Sequence, residues 1–204
     1  MAQTKVQLID GRTSPLVFPS GNGTNGQYLQ GDGAGTLSWA TVSGLPAQVL
    51  TLGTAVASTS GTSIDFTGIP STVKRITVMF NAISTNGTSN IQIQLGTSGG
   101  IQTTGYDSVG IYNGSGTSYT TGFSFRQDSA GAATGTQSGQ VIISQLRASD
   151  GTWAASGLLG WSANPWMGTV GSKTLSGTLD RVRLTTANGT DTFDAGVVNI
   201  MYEG

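Results

Sequence analysis

The sequence predicts an all-β protein, in which an extended glycine-rich N-terminal segment precedes an antiparallel, jelly-roll-like β-sandwich. Glycine supplies 32 of the 204 residues, while charged residues make up only 9%. Ser, Thr and Asn fill most other polar positions, a composition that favours turns and strands over helices. From Leu50 onward, short alternating apolar runs recur about every ten residues. The hydrophobic content of 36% is high enough for a packed core and argues against disorder.

The first nineteen residues alternate weakly between apolar and polar positions. A short strand is predicted at Lys5–Ile9 and ends at the turn signal Asp10-Gly11. Such a strand can add to the edge of a partner's sheet. The apolar side chains and the lysine of this stretch are therefore candidates for anchoring the chain to a partner. These anchoring candidates are Lys5, Val6, Leu8, Ile9, Leu16 and Phe18.

Residues 20–36 are rich in glycine, yet large apolar residues interrupt and follow them. A flexible linker is one interpretation, but a linker does not need Tyr28, Leu29, Leu37 or Trp39. A thin segment cannot bury such side chains by itself, because chains below about 40 residues rarely build a sufficient core. We therefore interpret these four residues as packing sites in a trimer. The predicted division is an attachment and trimerisation segment over residues 1–46 and a sandwich over residues 47–204.

The second region is predicted to contain many short strands separated by Asn-Gly and Asp-Gly turns. This pattern is typical of a sandwich or jelly roll. The predicted strands are Leu50–Ala57, Ser63–Thr67, Lys74–Ala82, Asn90–Leu95, Tyr106–Tyr112, Tyr119–Arg126, Gln140–Arg147, Thr152–Gly160, Thr174–Leu175, Leu179–Thr186 and Thr192–Tyr202.

Arg181 and Arg183 lie on one face of a predicted strand. Asp65 or Asp180, placed in a neighbouring strand or chain, would form ion pairs with them. Exposed pairs of this kind contribute only about 0–1 kcal/mol. At a trimer axis they would instead fix the register of the strands.

The composition argues against an enzyme, a cofactor and a metal site. The chain contains neither cysteine nor histidine, so thiolate and imidazole chemistry is excluded. Most acidic residues adjoin glycine or fall in predicted turns, where Asp caps its own backbone. Asp191 and Asp194 could contribute to a calcium site, but a turn after Asn188-Gly189 is the favoured interpretation. Carboxylates paired across a trimer cleft remain an alternative for glycan hydrolysis.

Nucleic acid and membrane insertion are not expected. The net charge is −1 and the nine basic residues are scattered, so no basic stripe faces a phosphate backbone. No stretch approaches the roughly 18 apolar residues of a membrane span.

Three tryptophans stand close together near the middle of the second region. Trp153 falls in a strand pattern and is expected in the core. Trp161 and Trp166 flank Asn164-Pro165, which we interpret as a loop spanning residues 162–167. Their indole rings could seal an interface, pack in the core or stack on a sugar. Packing is favoured, and Trp161 and Trp166 are the glycan-binding candidates.

Several long stretches resemble structural proteins of tailed bacteriophage particles. The stretch from Gly23 to Trp39 resembles a motif of tail-fibre proteins, and the stretch from Ile64 to Phe80 is similar to the start of a fibre domain. The stretches 171–186 and 188–196 resemble the same proteins. The resemblance implies a homotrimer with its N-terminal part anchored to a capsid or tail protein and its C-terminal domain displayed outward.

The expected function is therefore that of a virion structural protein, assembled in the cytoplasm of a host bacterium. The chain has almost no shaft, so a short fibre, a capsid fibre or a decoration protein fits its length. A receptor-binding protein that attaches to a host cell-surface glycan is the main alternative. A glycan-degrading tailspike is the less favoured one.

Overall fold

A computed structural model describes residues 16–41, 49–126, 133, 135–162 and 164–204. The chain divides into two compact units, Met1–Ala47 and Gln48–Gly204. The described residues form strands and no helix, which confirms the predicted all-β class. The strands are β1 Gln27–Gly31, β2 Leu37–Thr41, β3 Leu50–Leu52, β4 Val56–Ala57, β5 Ser63–Thr67, β6 Arg75–Thr85, β7 Ile91–Thr97, β8 Gly100–Ile101, β9 Tyr106–Tyr112, β10 Ser115–Tyr119, β11 Phe123–Ser124, β12 Gln137–Arg147, β13 Thr152–Trp161, β14 Asn164–Thr174, β15 Arg181–Thr186 and β16 Phe193–Glu203.

The N-terminal unit contains an antiparallel hairpin of β1 and β2, in which Leu29 lies opposite Trp39. Asp32 organises the connection, because its Oδ1 accepts hydrogen bonds from the backbone N–H groups of Ala34 at 2.8 Å and Thr36 at 3.0 Å. These bonds, above all the one from Thr36, lower the pKa of the Asp32 carboxyl. The sequence predicts an extended segment here, and the structure forms two of its stretches into paired strands.

The second unit is an antiparallel sandwich of a large and a small sheet. The large sheet has the order β10-β9-β14-β13-β12-β6-β16-β3, and β4 also pairs with β16. The small sheet has the order β11-β7-β15-β5, and β8 pairs with β7. Both sheets contribute to one buried core, which confirms the predicted sandwich.

The core is built by the alternation of side chains along each strand. In β12, Val141 and Ile143 are fully buried, whereas Ile142 between them remains 38% exposed. Burying an aliphatic side chain of this size stabilises the fold by about 1.5–3 kcal/mol. Between the sheets, the rings of Tyr106 in β9 and Phe123 in β11 meet edge to face at 5.1 Å.

The predicted loop over residues 162–167 is wrong for its second half. Residues 164–167 begin β14, which runs to Thr174 between β13 and β9. The sequence favoured a loop because of Asn164-Pro165 and because glycines interrupt the apolar pattern at Gly168 and Gly171. Ladder hydrogen bonds to strands on both sides outweigh this weak local preference. The predicted strand Thr174–Leu175 is not a separate element, because Thr174 ends β14 and Leu175 lies just beyond it.

Candidate assembly surface

The large sheet presents one face to the small sheet and an opposite face, here called the outer face, away from the core. Side chains of residues directly opposite each other on paired strands share a face. Ile142 is exposed between the buried Val141 and Ile143, so it lies on the outer face. Its cross-strand partners form a row with it that crosses the sheet. In order across the sheet, this row consists of Val109, Val170, Ser156, Ile142, Thr77, Met201 and Leu52.

A second row lies beside the first and is also uncharged, and half of its residues are large and apolar. It consists of Ile111, Gly168, Leu158, Gln140, Met79 and Asn199. Leu158 occupies the space above Gly168, where an added Cβ would lie 2.9 Å from the Leu158 Cδ2 atom. A glycine at this position allows the leucine to lie flat on the sheet. The resulting surface is continuous across the strands.

Large apolar side chains in these two rows are exposed to solvent. The exposed fractions are 61% for Leu158, 41% for Val170, 38% for Ile142 and 64% for Leu52. Single exposed apolar residues are ordinary, but a contiguous patch of them marks an interaction surface. The two rows contain no charged residue. They therefore have the character of an interface core.

A third row borders the apolar ones and carries charge. It consists of Asp107, Ser172, Ala154, Ser144, Arg75, Glu203 and Leu50. Arg75 and Glu203 form an ion pair within the row, and the Arg75 side chain is about half exposed. An apolar centre beside a polar margin is the usual arrangement of a protein interface.

Trp166 belongs to the outer face, whereas Trp161 belongs to the core. Trp166 precedes the fully buried Met167 in β14, so strand alternation places it on the outer face, where it is 39% exposed. Trp161 is only 4% exposed and meets the ring of Tyr112 edge to face at 6.0 Å. The expectation that Trp161 offers an exposed ring to a sugar is wrong, because the sandwich buries it. Trp153 is buried, as expected.

The packing candidates of the N-terminal unit are partly exposed. Tyr28, Leu29 and Trp39 are 45%, 41% and 36% exposed, and Leu37 is half-buried. Trp39 is held by a hydrogen bond of 2.7 Å from its Nε1 to the Gly21 carbonyl oxygen. A two-stranded hairpin has no second layer to cover such side chains. They remain available to a partner.

The anchoring candidates are only partly described. Leu16 is half-buried and Phe18 is 46% exposed. Val17, between them, forms a parallel bridge with Thr36 next to the hairpin. Lys5, Val6, Leu8 and Ile9 lie outside the described residues.

The sequence itself contains a signal for the outer face. In a strand with one buried face, apolar and polar residues alternate. The runs Val141-Ile142-Ile143 and Leu158-Leu159 instead place apolar residues on both faces. Consecutive apolar residues in a strand therefore indicate a second covered face. The pairing of β12 with β13 then brings Ile142 and Leu158 onto the same side.

The described residues contain no cluster of three or more acidic side chains that could hold a metal ion. In the same part of the chain, no helix is long and apolar enough to cross a membrane. Comparisons of the chain with protein-family models, with curated proteins and with solved structures found no match.

Proposed function

We propose that this chain is a structural protein of a bacteriophage virion, a short homotrimeric fibre or decoration protein. Its N-terminal unit would attach to a capsid or tail protein, and its sandwich would be displayed outward. The observation that carries the proposal is the pair of adjacent, uncharged rows on the outer face of the large sheet, in which Ile142, Leu158 and Val170 are exposed. A face of this kind is favoured in an obligate assembly, where it leaves water permanently.

The N-terminal unit supports the same proposal independently. Its hairpin displays Tyr28, Leu29 and Trp39 without a second layer of its own. Copies of the chain placed side by side would bring these aromatic and aliphatic side chains together. Association of this kind removes apolar surface from water, and each Å² that is buried contributes about 25 cal/mol of favourable free energy.

A glycan-binding receptor protein remains the second candidate, now without Trp161. Trp166 is the exposed aromatic residue that favours it. Because Trp166 shares the outer face with the apolar rows, packing between subunits is the better-supported role. The tailspike alternative needs paired carboxylates, and the third row offers only Asp107 and the already paired Glu203.

Light scattering on the purified full chain tests the assembly. The wild-type protein is expected to have the mass of three chains, and Leu158→Lys should release monomers by placing a charge in the apolar centre. Ser63→Lys is the matched control, since Ser63 is an exposed position on β5 of the small sheet. A monomeric wild-type protein contradicts the proposal, and a Leu158→Lys variant that stays trimeric contradicts assembly through the outer face.

A further inference from the structure

One end of the sandwich contains a cavity of about 440 Å³. Its walls are the β12–β13 turn at residues 148–151, the segment before β6 and the segment 175–179 that links β14 to β15. This volume is within the range of small-molecule sites, about 300–1,000 Å³. The cavity lies within the second unit and is separate from the outer face described above.

We propose that this cavity binds one sugar residue of a glycan. The proposal rests on the chemistry of its lining, which combines an apolar base with a rim of hydrogen-bond donors and acceptors. A sugar ring matches both parts, because it carries an apolar C–H face and hydroxyl groups that donate and accept. The site does not depend on the number of chains in the assembly.

The apolar base consists of Trp153, Leu175 and Leu179, which are 2%, 4% and 4% exposed. Their burial fixes the shape of the site before a ligand arrives. Trp153 carries the one polar group of the base, its indole N–H.

The rim offers both kinds of hydrogen-bonding group. The Lys74 Nζ donates to the Gln145 Oε1 at 2.9 Å and retains further donor capacity. Ser71, Ser149 and Thr178 also line the cavity, and each carries a hydroxyl that can donate and accept. A purely apolar ligand would leave these groups desolvated and unpaired. A polyhydroxylated ligand satisfies them.

The charge balance disfavours a phosphate group. Lys74 provides one positive charge, but Asp150 also lines the cavity, and its Oδ2 lies 2.9 Å from the Arg147 Nη2. The pKa of Asp150 is lowered, chiefly by the Thr152 hydroxyl and further by Arg147, so the group is ionised at neutral pH. A carboxylate accepts bonds from sugar hydroxyls and repels a phosphate. The cavity therefore fits a neutral or at most singly charged sugar.

The turn that carries Asp150 is held rigidly. The Asp150 Oδ1 accepts from the Thr152 Oγ1 at 2.6 Å and from the Thr152 backbone N–H at 3.1 Å. The Leu175 N–H donates to the Gly151 carbonyl oxygen at 3.1 Å and ties the turn to the opposite wall. Gly151 has a φ of +69°, which suits glycine at this turn. A preformed wall reduces the ordering that a ligand would otherwise require.

Saturation-transfer NMR on the full chain tests the site directly. The probes are free glucose, galactose, N-acetylglucosamine, rhamnose and N-acetylneuraminic acid, each at millimolar concentration. The wild-type protein should transfer saturation to at least one of them. Ser149→Trp should abolish the transfer by filling the mouth of the cavity, and Lys74→Met should weaken binding by about ten-fold, as expected for a lost charged hydrogen bond.

Ser60→Trp is the matched control, because Ser60 is an exposed loop serine just before the start of β5, away from the cavity. It should retain the wild-type signal. Transfer that persists unchanged in both Ser149→Trp and Lys74→Met would overturn the proposal, as would the absence of transfer from every sugar to the wild-type protein. Circular dichroism on each variant identifies loss of fold. If Ser149→Trp does not fold, Lys74→Met alone decides the outcome.

Discussion

The Arg183 guanidinium group donates two parallel hydrogen bonds to the Asp65 carboxylate. Its Nε lies 2.7 Å from Oδ1, and its Nη2 lies 2.7 Å from Oδ2. The two residues are directly opposite on β15 and β5, and each side chain is about one third exposed. The bond to Asp65 raises the pKa of Arg183 and keeps it charged. The sequence predicts an ion pair of Arg183 with Asp65 or Asp180, and Asp65 is its partner in the structure.

Replacing Asp65 with Asn should remove the charge while keeping the shape of the pair. We expect a loss of about 0.5–1 kcal/mol in the free energy of unfolding, because the pair is bidentate but partly exposed. Urea unfolding of Asp65→Asn, Arg183→Gln and the double variant measures the coupling. The value should fall when salt is added. A coupling of zero at low salt would contradict the prediction that the pair stabilises the fold.

The sequence predicted some strands to the residue and missed others. Ser63–Thr67 and Tyr106–Tyr112 match β5 and β9 because their alternation is regular and turn residues bound them. The strand β14 was missed because Gly168 and Gly171 interrupt the pattern that its two neighbours complete. Local signals weaken where pairing with distant strands determines the structure.

The candidate surfaces were harder to predict than the fold. Trp161 and Trp166 are separated by only a few residues, yet one is in the core and the other on the outer face. The outer face itself depends on register, since Leu158, Val170 and Ile142 meet only after β12, β13 and β14 align. Consecutive apolar residues indicate a second covered face, but their spacing along the chain does not show which of them meet. The cavity at one end of the sandwich is likewise lined by three segments that are separate along the chain.

Replacing Lys173 with Met should alter how stability depends on pH. Lys173 is buried in β14, its Nζ lies 5.3 Å from the centre of the Tyr106 ring, and burial lowers its pKa below 10.5. Between the lowered folded value and the unfolded value, the unfolded chain binds more protons, so stability rises with pH. Lys173→Met should remove that rise, and should be more stable than the wild type at neutral pH.

Thermal unfolding between neutral pH and pH 10 measures this effect. The pH range ends at 10 because burial also raises the pKa of Tyr106. Above pH 10 the tyrosine ionises in the unfolded chain but not in the folded one, which lowers stability. Lys74→Met serves as the control, because Lys74 is exposed. Equal pH profiles for Lys173→Met and the wild type would mean that Lys173 is fully hydrated when charged.

Replacing Tyr106 with Phe should destabilise the sandwich without changing its shape. The Tyr106 Oη accepts a hydrogen bond of 2.6 Å from the Leu95 backbone N–H and donates one of 3.0 Å to the Gln102 carbonyl oxygen. Phenylalanine leaves the Leu95 N–H without this acceptor in the core, so we expect a loss of about 1–3 kcal/mol. Chemical denaturation gives the value, with Tyr202→Phe as a less buried control. A change within experimental error would imply that another group accepts the Leu95 N–H.

Replacing Gly114 with Val should destabilise the hairpin of β9 and β10. Asn113 and Gly114 form its turn with φ values of 45° and 77°, the left-handed region that β-branched residues avoid. We expect a loss of about 1–2 kcal/mol from this strain. Gly99→Ala is the control, since a Cβ there would meet its nearest neighbour, the Thr97 Oγ1, at an ordinary 3.5 Å. Amide hydrogen exchange should show faster opening of β10 in Gly114→Val only.

Removing residues 1–46 separates the two roles that we propose for the chain. Residues 48–204 form a compact unit with its own core, so the truncated protein should fold and unfold cooperatively. It should also keep the assembly that the outer face supports, because that face lies wholly within the remaining residues.

Without the N-terminal unit, the truncated protein should not enter phage particles. Mass spectrometry of purified virions measures its incorporation. Leu158→Lys in the full chain provides the reciprocal control, since it retains the N-terminal unit and alters only the outer face. Incorporation of the truncated protein into particles at the wild-type level would contradict attachment through the N-terminal unit. A trimeric mass for the same truncated protein would still support assembly through the outer face.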